Sequence, residues 1–367
     1  MLRIWFPSPA RELAMARTPR GTPPVAAPNP DALPRPVRMG KAVTIRDVAK
    51  VAGVSPITVS RALNHPELVT PDTLERVRAV VSRTGYVPNE IAGSLRSRRS
   101  RIIAAVFPQI TNSMFVDTIQ TLSDCLRQEG YQVLLGLSSY EVREDELIAG
   151  ILGRRPEGIY LTGIGHAPDT RRRLIASHIP VVEAWDLTPT PIDMLVGFSH
   201  EKAGEAMARH LLAKGHRDIG LVWGNDLRAG VRRDGLLSVL AQEGIHEVPT
   251  SLQPAPGMFQ RGREGLAQLL GSGARVSAVA CSSDVLAQGV IAEAQDRGIR
   301  IPGDIAVMGF GDFDFAAHTS PSLSTIAIEK AMIGRLAAEA LLARIQGKEV
   351  PERIVDVGFR LVERDST

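Results

Sequence analysis

Three regimes of hydrophobic and polar spacing divide the chain. Residues 1–38 hold nine prolines and no apolar period, a composition that cannot bury a core and reads as a disordered tail over residues 1–40. From Thr44 to Gly85 apolar residues recur three and four apart, the period of helices. Ile45, Val48, Ala49 and Ala52 form one apolar face behind Thr44, a good N-cap, while Asp47 favours the positive helix end. Gly53 permits the left-handed turn that stops this helix. Ser55 caps a second helix that opens on Pro56, where the missing N–H costs nothing. Its Val59, Ala62 and Leu63 point inward, and Ile57, Thr58, Ser60, Arg61 and Asn64 face out. A third helix opens at Thr70-Pro71, runs through Leu74, Val77, Val80 and Val81, and ends at Gly85.

Beyond Ile102 the pattern changes to apolar runs separated by helical periods. Strands are expected at 102–107, 132–137, 158–162, 180–183 and 194–196, with helices over 114–130, 141–153 and 169–178. A second series follows: helix 200–214, strand 219–223, helices 230–243 and 261–271, strand 278–281, helix 284–297 and strand 305–309. Helix 329–346 and a strand over 353–362 finish the chain. Strand–helix alternation implies parallel sheets covered on both faces, and two series imply two doubly wound lobes. The ligand is then expected in the cleft between their strand ends.

At 367 residues, 44% hydrophobic and 23% charged, the chain has globular values and length for two to three domains. Its net charge of +3 hides an asymmetry: residues 1–38 carry +4, residues 39–101 carry +6, and the remainder carries −7. A basic small domain on an acidic large one is the footprint of a protein that touches phosphate with one end only. Cys125 and Cys281 lie far apart among apolar residues, which suits buried, reduced thiols in the cytoplasm. No Cys/His spacing suits a metal. The start of the chain is too short for a signal-peptide core, Pro7 breaks it, and no run suits a membrane span. The segment Trp223–Gly230 lacks the dinucleotide glycine pattern, and neither a phosphate loop nor a Gly-x-Ser-x-Gly elbow occurs. An enzyme reading has little to stand on, and no cofactor is expected.

Two short helices joined by a glycine turn form a helix-turn-helix, although two capped helices in about 20 residues also suit any small helical bundle. The choice is made by motifs in order. Val43-Thr-Ile-Arg-Asp-Val-Ala, Ala52-Gly-Val-Ser, Thr58-Val-Ser-Arg, Gly85-Tyr-Val-Pro-Asn and Ala92-x-x-Leu95 resemble the headpiece and hinge of the lactose-repressor (LacI/GalR) family. Lys214-Gly-His-Arg-Asp-Ile, Arg232-Arg-Asp-Gly, Ser283-Asp284, Ile301-Pro-Gly-Asp-Ile-Ala-Val and Gly309-Phe-Gly-Asp resemble its periplasmic-binding-protein-like, sugar-binding core. Resemblance covers about residues 41–362. Pro180–Asp186, Val196–Phe198 and Gly309–Ala316 look most like the gluconate-operon repressor branch. The implied organisation is an all-α helix-turn-helix headpiece (41–88), a hinge helix and linker (89–101), and a two-lobed α/β core (102–367). Met39 then becomes a plausible true start.

The resemblance implies a dimeric repressor on a near-palindromic operator, controlled by a sugar or sugar-acid effector. Pro56, Ile57 and Arg61 occupy the base-reading positions, and Arg61 can hold a guanine bidentately at O6 and N7. Pro56 and Ile57 offer only apolar contact. Thr44, Ser55, Thr58, Ser60, Asn64, Tyr86 and Asn89 are expected phosphate or flanking contacts. Residues 89–96, Ala92 among them, form a hinge helix too short to be stable alone, which orders on DNA beside its symmetry mate. There Leu95 wedges into the minor groove and bends the duplex.

For the effector, Arg232 matches the family's clamping arginine, and its fork suits a carboxylate. Arg228 and Arg233 are weaker candidates. Ser283 and Asp312 follow strands at the lobe edge; Asn112 and Phe115 follow the first strand and Glu183 the fourth, and Phe259 completes the set. For Asn112, Phe115, Glu183 and Phe259 the plain alternative is loop or core packing. Two functional classes remain in view: a ligand-released repressor, and a sugar-binding protein or a regulator whose ligand promotes DNA binding.

Overall fold

The computed structural model describes residues 43–87, 99–110, 113–138 and 144–367, and its contacts divide the chain into two units, Met1–Asn89 and Glu90–Thr367. The tail, Asn89, Ala92, Leu95 and Asn112 lie outside the described residues.

The first unit is α1 (Ile45–Ala52), α2 (Pro56–Asn64) and α3 (Pro71–Thr84), with a 3-10 turn at Pro66–Leu68 that the apolar pattern did not foretell. Thr44 and Asp47 close a capping box: the Asp47 N–H donates to Thr44 Oγ1 at 3.4 Å and the Thr44 N–H donates to Asp47 Oδ2 at 2.9 Å. Gly53 takes φ +67°, the left-handed value that lets α2 turn away after two residues. Val48, Val59 and Val77 are fully buried between the three helices. Burying a side chain of this size is worth roughly 1.5–3 kcal/mol, which joins helices too short to persist alone.

The second unit begins with β1 (Ile102–Phe107), α4 (Val116–Gln128), β2 (Gln132–Leu137), α5 (Glu144–Leu152), β3 (Gly158–Thr162), α6 (Pro168–Ser177), β4 (Val181–Ala184) and β5 (Met194–Gly197). It continues through α7 (His200–Ala213), β6 (Ile219–Gly224), α8 (Leu227–Gln242), β7 (Thr250–Gln253), α9 (Phe259–Gly271), β8 (Ala278–Cys281), α10 (Asp284–Asp296) and β9 (Ala306–Met308). Last come β10 (Thr325–Ala327), α11 (Lys330–Ile345), β11 (Ile354–Asp356) and β12 (Arg360–Val362).

One parallel sheet has the order β11-β5-β4-β3-β1-β2 and the other β7-β6-β8-β9, while β10 and β12 pair antiparallel. In the first lobe α4 and α11 cover one face, through Leu122, Leu126, Ile333 and Leu341. There α5 and α6 cover the other, through Ile148, Ile151 and Leu174. In the second lobe α7 and α8 lie on one face and α9 and α10 on the other. Both sheets reverse their strand order beside the first strand, between β1 and β3 and between β6 and β8. Crevices open at the carboxyl ends of strands at such points.

The chain crosses between lobes three times: from β5 to α7, from β10 to α11, and from β11 to β12. That last crossing corrects the single strand expected over 353–362. Gly358, at φ +66°, splits the run, so that one half joins each lobe. β7 was not foreseen because it is a short, polar edge strand whose residues are alternately exposed and buried. Both cysteines are free, Cys281 buried and Cys125 half-buried. Among the described residues no helix is long and apolar enough to cross a membrane.

Candidate functional site

Two surfaces gather the residues singled out by the sequence, one in each unit. On the first, α2 turns Pro56, Ile57, Arg61 and Asn64 to solvent while Val59 and Ala62 are buried. Ile57 is 65% exposed, an apolar side chain left uncovered on the face where Arg61 also projects. Ser55 Oγ accepts the Thr58 N–H at 3.1 Å and lies 2.8 Å from the Thr58 hydroxyl, so the start of α2 is rigidly capped. Asn64 is partly engaged, its amide donating to the Ser60 carbonyl at 3.0 Å. Tyr86, an expected phosphate or flanking contact, packs its ring into the three-helix core, and burial pushes its hydroxyl pKa up.

The second surface is the cleft between the lobes, with about 630 Å³ of empty space including its open mouth. Its walls are strand ends. Pro108 and Gln109 follow β1, Trp185 follows β4, Gly224 ends β6, and Ser282 and Ser283 follow β8.

At its centre is Arg232, on α8 and 5% exposed. Its Nη1 donates to His200 Nδ1 at 2.8 Å, its Nη2 donates to the Ser282 carbonyl at 3.0 Å, and its guanidinium lies 3.9 Å from the centre of the Phe310 ring. An arginine can only donate, so His200 Nδ1 accepts, and the proton sits on Nε2, which donates to the Trp185 carbonyl at 2.9 Å. Burial, and then the charges of Arg232 and Arg228, hold His200 well below the usual histidine range, so the ring is neutral. Burial also lowers Arg232 to about 10, which leaves it a cation at neutral pH. Its buried Nε meets no hydrogen-bond acceptor.

Arg228, a turn earlier, differs. Its Nε donates to Asp186 Oδ2 at 2.7 Å, and the guanidinium lies 5.8 Å from the centre of the Phe115 ring. Burial raises the Asp186 pKa and the Arg228 charge opposes that rise. Asp226 lines the cleft but is committed to capping α8, accepting the Ala229 N–H at 3.0 Å. Among the described residues no Cys, His, Asp and Glu group could hold a metal ion.

Of the expected effector residues, Arg232, Phe115 and Ser283 stand on the cleft wall. Three others do not, each for a physical reason. Glu183 is fully buried in β4, accepting the Ile192 N–H at 2.5 Å and lying 3.3 Å from His166 Nε2. Asp312 pairs with Arg364 at 2.8 Å, an alternative partner supplied by the C-terminal segment. Phe259 opens α9 half in solvent, outside the wall that Pro256 and Gly257 complete. Sequence reasoning missed Trp185, Asp186, His200 and Phe310. Their signals were position, each lying within three residues of a strand's carboxyl end, and, for Trp185, Asp186 and Phe310, a place in the stretches that resemble the gluconate-operon branch.

Comparison with known proteins identifies a known domain family in each of the two units. Residues 44–89 match the family model described as bacterial regulatory proteins, lacI family, and residues 208–367 match a periplasmic binding protein-like domain. The HTH-type transcriptional regulator GntR of Pseudomonas aeruginosa is 40% identical over 327 residues, 88% of this chain and 95% of its own. A crystal structure of a LacI-family transcriptional regulator from Silicibacter pomeroyi superposes with TM-score 0.83 at 31% identity, over 88% of this chain and 99% of that one. The lac repressor dimer bound to operator and the anti-inducer ONPF superposes with TM-score 0.76 at 25% identity, over 89% and 99%.

Proposed function

Because the chain belongs to the lacI family of bacterial regulatory proteins, and is thus a DNA-binding transcription repressor rather than an enzyme, we propose that it is released from its operator by a sugar acid of the gluconate type. The observation that carries this reading is the isolation of Arg232. A buried cation costs several kcal/mol unless it is compensated. Arg232 has a neutral imidazole and a carbonyl as its hydrogen-bond partners; the charges of Asp226 and Asp186 act on it from further off, but among the described residues no carboxylate forms an ion pair with it. A ligand carboxylate supplies the missing counter-charge, and the polar cleft residues suit its hydroxyls.

At the other end Arg61 reads a guanine, and Ile57 and Pro56 pack on base edges or thymine methyls. The protein works in the cytoplasm as a homodimer, placing two headpieces on a near-palindromic site. The hinge at 89–101, with Leu95 as minor-groove wedge, couples lobe movement to DNA release.

Fluorescence anisotropy on a labelled operator fragment from the gene's own upstream region tests this. Gluconate is expected to release the protein, whereas glucose is without effect. Release by glucose alone sinks the acid reading, and gluconate-strengthened binding reverses the direction of control.

A further inference from the structure

The two arginines that reach the cleft from α8 have different fates. The Asp186–Arg228 pair is only 13% and 21% exposed, and it spans the cleft. Asp186 follows β4 in the first lobe, and Arg228 lies in the first turn of α8 in the second. The first lobe is shaped to receive this guanidinium. Gly163 has φ +106°, and a Cβ there would stand 2.6 Å from Arg228 Nη2. The Phe115 ring borders the guanidinium as well. Arg232 has no such paired carboxylate among the described residues: Asp226 caps the helix and, with Asp186, acts on the Arg232 charge only from further off.

We propose that Asp186 is the internal counter-ion of Arg228 and so a specificity-determining residue: among the described residues of the cleft wall it leaves Arg232 as the one cation without an ion-paired carboxylate, and the cleft selects ligands with one negative charge over those with two. This rests on the sugar-acid reading above. A monocarboxylate meets Arg232 and finds Arg228 neutralised. A second carboxylate or a phosphate meets no free cation among the described cleft residues and lies near Asp186, where like charges repel.

The test is isothermal titration of the full chain with gluconate and with glucarate, the diacid of the same carbon number. The wild type should prefer gluconate. Asp186→Asn frees Arg228 and should shift the ratio of the two affinities toward glucarate by about tenfold or more, one close charge being worth at least 1.4 kcal/mol in a shielded site. Should that variant fail to give a cooperative melt, the double variant Asp186→Asn/Arg228→Gln carries the test, since it removes both charges and leaves a shorter neutral amide in place of the guanidinium. It should bind gluconate within about threefold of wild type and keep the wild-type preference. An unmoved ratio in Asp186→Asn overturns the assignment. So does a double variant that loses gluconate, because Arg228 would then be a ligand clamp. If the wild type binds neither acid, the sugar-acid reading fails and the charge selectivity falls with it. Gluconate binding with an unmoved ratio removes only this proposal.

Discussion

Gly204 of α7 lies directly against the backbone carbonyl of Arg232 on α8, so close that a Cβ on the glycine would collide with the oxygen. Gly235 makes the reciprocal approach to the carbonyl of Glu201. This pair of glycines lets the two helices meet backbone to backbone, which brings His200 at the start of α7 within hydrogen-bond reach of Arg232.

Gly204→Ala should therefore act at two levels. Overpacking of this kind costs about 1–3 kcal/mol, and separation of the helices would part His200 from Arg232. A lowered melting temperature with a weakened effector response is expected. A variant that melts and responds like wild type would show that the helices can separate freely.

Arg232→Gln tests the clamp itself. Hydrogen bonds to a charged group are worth about 1.5–3 kcal/mol, so the gluconate concentration needed to release operator should rise roughly ten- to a hundredfold. Arg232→Lys keeps the charge but loses the planar fork, and should fall between the two. Equal midpoints for all three proteins would remove Arg232 from the ligand.

For the DNA surface, Arg61→Ala should cost about 1–3 kcal/mol on the operator and much less on random duplex, relaxing the choice of base at one position. The measurement is the ratio of specific to non-specific affinity at fixed salt. An equal loss on both would reassign Arg61 to phosphate.

His166 gives a pH dependence with a definite sign. Burial pushes its pKa down, but hydrogen bonds and charge from Glu144 and Glu183 outweigh that and raise it to about 9. Because the folded state holds this proton more tightly than the unfolded chain, with its pKa of about 6.5, the stabilisation is complete below pH 6.5. It is lost progressively between pH 6.5 and 9, to a total of about 3 kcal/mol at most. Urea unfolding of wild type and His166→Gln should thus differ most near pH 6 and converge by pH 9 to 10. A difference that stays constant with pH would assign the effect to packing.

What could be read from the sequence alone was whatever neighbours along the chain decide. The caps of α1 and α2 join residues three apart, Thr44 with Asp47 and Ser55 with Thr58, so residue type and spacing are enough to place them. The strand–helix alternation likewise implied two covered parallel sheets, because burial on both faces leaves its mark on each strand. Arg232 was legible through its motif. Tertiary structure alone decided which charges meet. Asp186 and Arg228 are 42 residues apart and belong to different lobes, and Asp312 is taken by Arg364, 52 residues on. It also split the 353–362 run between the lobes and turned Trp185 and His200 into the cleft. The reason is physical: periodicity records which side of an element faces the core, whereas a cleft is built where chain crossings bring distant strand ends together.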